Sequence, residues 1–168
     1  MGVKIGVIGL GHPRADAYLS ELKNTPGVDT VGIFDEREER VAVAAGKHGI
    51  RMFNDHVRLL EAGVDAVIVC AENDRRAKYA ADAVAAGKHV LCEMPLGTTP
   101  DAARAVVRSS RDNGVLLKAA FPYRCLPAVV AAKSAIDQGE IGDLLAIKGT
   151  NRGRMPESRW YDPRKEGG

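Results

Sequence analysis

The chain has 168 residues, of which 45% are hydrophobic, 27% charged and 5% aromatic, with a formal net charge of +2. That length suits one well-buried domain with a fragment of a second, and scattered charge with so few aromatics argues against nucleic acid or a membrane surface as partner. No apolar run approaches the roughly 18 residues of a membrane span.

The opening MGVKIGVIGL alternates with glycine and leads straight into a turn, so it reads as a buried strand rather than a signal peptide. The spacing predicts strand 3–8, then a helix to about residue 23. A second strand over 30–34 ends on Asp35, and a charged helix over 37–47 is stopped by Gly49. A short third strand over 51–53 and a single helix over 57–61 follow. The continuous apolar run 64–70 has the character of a strand buried on both faces. Asn73 or Asp74 then caps a helix over 75–86.

Next comes GKHVLCEMPLGTTP, residues 87–100. HVLC reads as a strand, and Thr99 with Pro100 reads as the N-cap and first position of a helix to about 113. A sixth strand is expected over 115–119. Strands alternating with helices are the βαβ pattern, and the fold expected is α/β, a doubly wound parallel sheet. After Phe121 the pattern changes. Pro122 and Pro127 mark a loop, 128–138 reads as an amphipathic helix stopped by Gly139, and 144–149 as a strand. The remaining tail has no periodicity, so the chain is expected to be cut short, with apolar surface left exposed on the helix near 128–136.

Cys70, Cys92 and Cys125 are odd in number, far apart and without metal-ligand spacing. They are expected to be free thiols of a reducing cytoplasm, and no metal site is expected.

Gly9-Leu10-Gly11 follows a strand and precedes a helix, the context in which a glycine loop can bring its backbone to a pyrophosphate. The third glycine of the G-x-G-x-x-G pattern is missing, because Arg14 stands there and could point outward, towards a phosphate. His12 is expected to meet the phosphate region through its backbone. A glycine turn without a ligand is the alternative. Asp35, 24 residues after Gly11, can accept hydrogen bonds from adenosine ribose hydroxyls, which favours NAD, or it can cap the following helix. Arg37 and Arg40 leave NADP possible, although a solvated helix face suits them equally. Glu93 and Met94 lie where the HVLC strand gives way to its helix, at a sheet edge where α/β proteins bind ligands. Glu93 could orient the cofactor or a neighbour, or cap that helix.

The segments IGLGHPRA, GIFDERE, DAVIVCAEN, AGKHVLCEMPLGTT, FPYRCLPAV and GEIGDLLAIKGT follow one another in an order that resembles the Gfo/Idh/MocA oxidoreductases. The resemblance implies an NAD(P)-binding Rossmann domain over 1–122 and, over 123–168, the start of a truncated α+β domain for substrate binding and oligomerisation. It implies NAD(P)-dependent hydride transfer on a sugar, polyol or related hydroxy or carbonyl compound, and a homo-oligomeric full-length form. Gly9 and Gly11 would cradle the pyrophosphate and Asp35 the adenosine ribose; from the residues themselves, Leu10, His12 and Arg14 are expected to line the same phosphate region and Arg40 to stand near the ribose. Ala71, Glu72 and Asn73 would line the cofactor cleft, as would Glu93, Met94 and Arg124. Three departures stand out: Arg14 for the third glycine, Arg76 where many members have histidine, and Met94 for the signature lysine. Methionine cannot carry a proton. Tyr123 and Lys118 are the remaining titratable candidates nearby, and a dinucleotide-binding module without turnover is the alternative function.

Overall fold

The computed structural model describes residues 2–150, which fall into two compact units meeting in sequence between Ala120 and Phe121. In the first unit the elements run β1 (Val3–Ile8), α1 (Ala15–Asn24), β2 (Val28–Phe34), α2 (Glu38–His48), α3 (His56–Glu61), β3 (Ala66–Val69), α4 (Asn73–Ala85), β4 (His89–Glu93), α5 (Pro100–Asp112) and β5 (Leu117–Ala120). All five strands are parallel, in the order β2-β1-β3-β4-β5.

Strand pleating sends neighbouring side chains to opposite faces, and both faces are apolar. Val7, Ile33, Ile68 and Cys70 pack with Ala15, Leu19 and Leu22 of α1 and Val41 of α2. Ile8, Phe34, Val67, Val69, Val90 and Cys92 pack with α3, α4 and α5 through Leu59, Tyr79, Ala83, Val84 and Val106. Helices on both faces make this the doubly wound α/β sheet expected from the alternation. The chain leaves β1 towards β2 on one side and later resumes with β3 on the other. The carboxyl ends of β1 and β3 therefore flank the point where the winding reverses, which is where such sheets bind ligands.

The sheet has five strands where the sequence suggests six. Residues 51–53 make a single bridge, Met52 beside Ile33, held by two hydrogen bonds: Ile33 N–H to the Arg51 carbonyl and Phe53 N–H to the Ile33 carbonyl, both 2.9 Å. The segment cannot lengthen because Asp55, two residues on, already caps α3 by accepting from Val57 N–H at 3.0 Å. The outer strands differ from expectation in their starts: β2 begins two residues earlier, and β5 begins at Leu117 rather than 115. Thr99 caps α5 as expected, accepting from Ala102 N–H at 3.2 Å. Helix α4 differs: it starts at Asn73, so Glu72 occupies the N-cap position without a side-chain cap bond. Its carboxylate is drawn instead to Arg40.

The second unit contains a 3₁₀ turn, Pro122–Cys125, and α6 (Pro127–Asp137). Val129 and Val130 on α6 are exposed, as the sequence suggests. No strand forms over 144–149, because a strand needs a partner ladder and none is present among the described residues. Leu145 there is 94% exposed. Trp160 and the rest of the tail lie outside the described residues.

Candidate functional site

The glycine loop is shaped first by its protein neighbours. Gly9 has φ +82°, where residues with a Cβ are strained, and its N–H donates to the Phe34 carbonyl at 2.7 Å. A Cβ on Gly9 would overlap the Ala71 backbone. One on Gly11 would lie 2.7 Å from the Glu72 carboxyl carbon and 3.0 Å from Arg40 Nη1. Both glycines therefore let the loop after β1 touch the loop after β3. The missing third glycine is tolerated because Ala15, small and buried, supplies the close packing of α1 on the sheet.

His12 departs from the expected backbone role. Its N–H donates to the Cys70 carbonyl at 2.9 Å and its carbonyl accepts from Ala15 N–H. The imidazole is buried, with Nδ1 accepting from Arg14 N–H at 3.2 Å and Nε2 3.8 Å from Glu93 Oε2. Burial lowers its pKa to about 4, against the pull of Glu93, so His12 is neutral near pH 7. Arg14 also turns from its expected outward direction. Its guanidinium leans over the sheet edge to within 3.6 Å of Glu93 Oε1.

Asp35 closes the other side of the loop. Its Oδ2 accepts from Leu10 N–H at 2.5 Å and its Oδ1 from Arg37 N–H at 2.9 Å. It is not the cap of α2, whose N-cap residue is Arg37. Nor is Arg40 a solvated surface residue: Nη1 lies 2.6 Å from Glu72 Oε1 and 3.6 Å from Asp35 Oδ2. Burial on its own would raise the Glu72 pKa, but the hydrogen bond from Arg40 reverses this and holds the carboxyl below its usual range. The neighbouring Glu36 accepts from Tyr79 O–H at 2.6 Å and pairs with Arg75.

Glu93 ends β4 with 0% exposure. Its Oε1 accepts from Tyr18 O–H at 2.8 Å and its Oε2 from Met94 N–H at 3.2 Å. The carboxylate thus ties β4 to α1 and does not cap α5, which already has Thr99. Burial and the Glu93 charge push the Tyr18 phenol upward, which keeps it a proton donor in this bond. Burial likewise pushes the Cys92 thiol up to about 12 and raises that of Cys70, leaving both as inert core groups.

Arg76 is 1% exposed. Its Nε donates to the Ala71 carbonyl at 2.8 Å, and its Nη1 to the Met94 carbonyl and, at 3.5 Å, to that of Pro95. One guanidinium therefore fastens the loop after β3 to the loop after β4. Met94 itself presents its side chain outward, 41% exposed, and the Met94–Pro95 peptide is cis.

Gly9, Leu10, Gly11, His12, Arg14, Asp35, Arg40, Ala71, Glu72, Asn73, Glu93 and Met94 thus gather at one sheet edge, at or just beyond the carboxyl ends of β1 to β4. Tyr123 and Arg124 lie in the 3₁₀ turn of the second unit, both exposed. Lys118 is exposed on β5. His48, His56 and His89 are engaged separately with Asp16, Asp82 and the Leu116 amide.

Two residues of the edge carry roles not read from the sequence. Tyr18 shares the buried face of α1 with Ala15, Leu19 and Leu22, and Arg76 that of α4 with Tyr79, Ala80 and Ala83. Helical spacing was the signal for both: a polar side chain on an apolar face must find a partner inside.

The donor set fits a dinucleotide. The loop between β1 and α1 is narrow only because two glycines stand in it, and Asp35 retains acceptor capacity after its two amide bonds. An oxidoreductase family described as having an NAD-binding Rossmann fold matches residues 3–121. The chain belongs to the Gfo/Idh/MocA family. Inositol 2-dehydrogenase 2 of Saccharopolyspora erythraea is 35% identical over 155 residues, covering 90% of this chain and 46% of that protein. A 3-ketoreductase from Actinomadura kijaniata in complex with NADP superposes with a TM-score of 0.73 at 30% identity, covering 85% of this chain and 46% of that one. A scyllo-inositol dehydrogenase from Lactobacillus casei, with NAD(H) and scyllo-inositol bound, gives a TM-score of 0.78 at 22% identity, covering 85% and 43%. That last likeness is one of fold. The chain spans about half the length of the curated relatives it matches.

Proposed function

We propose that the chain is the cofactor-holding portion of an NAD(P)-dependent oxidoreductase that transfers hydride to or from a sugar, polyol or related hydroxy or carbonyl compound. The observation that carries this reading is the convergence of the glycine loop, Asp35 and the Ala71–Glu72 segment where the winding reverses. Relatives named for inositol and 3-keto compounds support the substrate class. Hydride exchange is the chemistry a bound nicotinamide supplies. The chain's residues do the rest: the Gly11 amide, whose neighbours Leu10 and His12 donate to Asp35 and Cys70, meets the pyrophosphate together with the start of α1, and Asp35 accepts from ribose hydroxyls. Glu93, Tyr18 and Arg76 hold the floor under Met94 in place.

Position 94 favours a second reading, a dinucleotide-binding module without turnover. A thioether takes no proton, and the adjacent carboxylate of Glu93 is fully buried. Losing a general acid–base group costs about 10²–10⁴-fold in rate, whereas holding a dinucleotide needs no such group.

Fluorescence titration of NADH and NADPH against the purified chain tests what both readings share. Saturable binding below millimolar cofactor is expected for at least one of them; its absence for both sinks both readings. Turnover on a panel of sugars and inositols then separates them.

A further inference from the structure

Arg40 is the cation nearest to Asp35, yet its charge is already committed. Nη1 is 2.6 Å from Glu72 Oε1 and 3.6 Å from Asp35 Oδ2, and it stands 3.0 Å from where a Cβ of Gly11 would be. The pair therefore crosses the mouth of the glycine loop, from α2 to the loop after β3. The neighbouring arginine of α4, Arg75, is likewise engaged, by Glu36. Arg37 is exposed and gives its backbone N–H to Asp35.

A 2′-phosphate brings nearly two negative charges at neutral pH. Bonded next to a ribose held by Asp35, it would face the carboxylates of Asp35 and Glu72, with Arg40 as the nearest cation able to answer it and the exposed Arg37 farther from Asp35. We infer that Glu72 is the specificity-determining residue of the cofactor site: by keeping Arg40 to itself it excludes a 2′-phosphate and selects NAD(H) over NADP(H). This rests on the proposed cofactor role. Asp35 alone does not decide the matter, because an arginine 3.6 Å away could offset its repulsion were that arginine released.

The test is the ratio of NADPH to NADH dissociation constants, read by fluorescence titration at fixed salt. The wild-type chain is expected to favour NADH at least tenfold. Glu72→Gln and Glu72→Ala are each expected to lower the ratio about tenfold, the scale of one new charge-assisted hydrogen bond between Arg40 and the phosphate. The alanine variant covers the case in which glutamine re-forms the bond with Arg40. Adding Arg40→Gln to either is expected to return the ratio to within threefold of wild type. A merely structural Glu72 would weaken both cofactors together and leave the ratio unchanged. A ratio within twofold of wild type in both variants, a shift that survives Arg40→Gln, or a wild-type preference for NADPH each overturns the inference. Binding of neither cofactor by any protein would remove the proposed cofactor role itself, and this inference with it.

Discussion

Arg76→Met puts the architecture of the site to its hardest test. The arginine is 1% exposed and donates to carbonyls in two different loops, Ala71 after β3 and Met94 after β4. Those acceptors are backbone and cannot be removed with it. Replacing an entire buried ion pair by apolar groups can be neutral, but here the substitution takes this donor from the Ala71 and Met94 carbonyls and, at longer range, from that of Pro95. Hydrogen bonds to a charged group contribute about 1.5–3 kcal/mol each. Two of them, offset in part by the good fit of a long apolar side chain, give an expected loss of about 3 kcal/mol. That is a large fraction of the roughly 5–15 kcal/mol typical of a domain, though the chain should still fold. Urea unfolding followed by circular dichroism should show the midpoint fall with an unchanged slope. The thermal midpoint should drop by about 6–12 °C for a chain of this size. Arg76→Lys, which keeps the charge but not the fork, should fall between. A loss under about 1 kcal/mol would mean the two loops hold themselves, and the fastening role given to Arg76 would be wrong.

Gly9→Ala should destabilise by about 3 kcal/mol, because a left-handed alanine costs about 1–2 kcal/mol and its methyl overlaps the Ala71 backbone; a thermal midpoint equal to that of wild type would refute the close approach. For His12, whose pKa falls from 6.5 unfolded to about 4 folded, the unfolded chain takes up a proton first as pH drops. Stability from this group is therefore complete above pH 6.5 and declines towards pH 4, by roughly 3–4 kcal/mol in all at about 1.4 kcal/mol per pKa unit. Urea midpoints at several pH values should show that slope reduced in His12→Gln, in a pocket where Glu93, Arg14 and Arg76 supply the neighbouring charges; an identical slope would assign it to another group. Met94→Lys, at an exposed position, should change stability by less than about 0.5 kcal/mol. In a protein of the relatives' full length it should raise polyol turnover by about 10²–10⁴-fold, and equal rates would show that position 94 carries no proton.

Where local chemistry dictates the backbone, the fold was legible in the residues. Thr99-Pro100 caps α5 as the pattern implies, and Gly49 ends α2 in a left-handed conformation at φ +70°. The apolar runs that become β1 and β3 have no alternative burial. What failed to show was competition between neighbours. Residues 51–53 have strand-like side chains, but Asp55 claims the next backbone for α3. Residues 144–149 are equally strand-like and have no ladder to join. Glu72 could cap α4 by position, but a salt bridge to Arg40 on a different element outcompetes the cap. The last of these, like the bond between Tyr18 and Glu93, joins residues 32 and 75 positions apart respectively, which no window along the chain contains.

The same point explains why the polar residues of the sheet edge serve each other before they serve a ligand. Leu10 N–H goes to Asp35, His12 N–H to Cys70, Arg14 leans on Glu93 and Arg40 holds Glu72. A sheet edge with its charges unanswered would be costly to fold, since partly buried ions demand partners. Pairing them internally preorganises the loop but requires an exchange when a ligand arrives. The exchange is uneven. Bonds that involve loop amides fix the chain path and have no reason to open, whereas the Arg40–Glu72 pair joins two side chains that are still partly accessible. Selectivity among dinucleotides should therefore reside in the side chains that can let go, and rigidity in the amides that cannot.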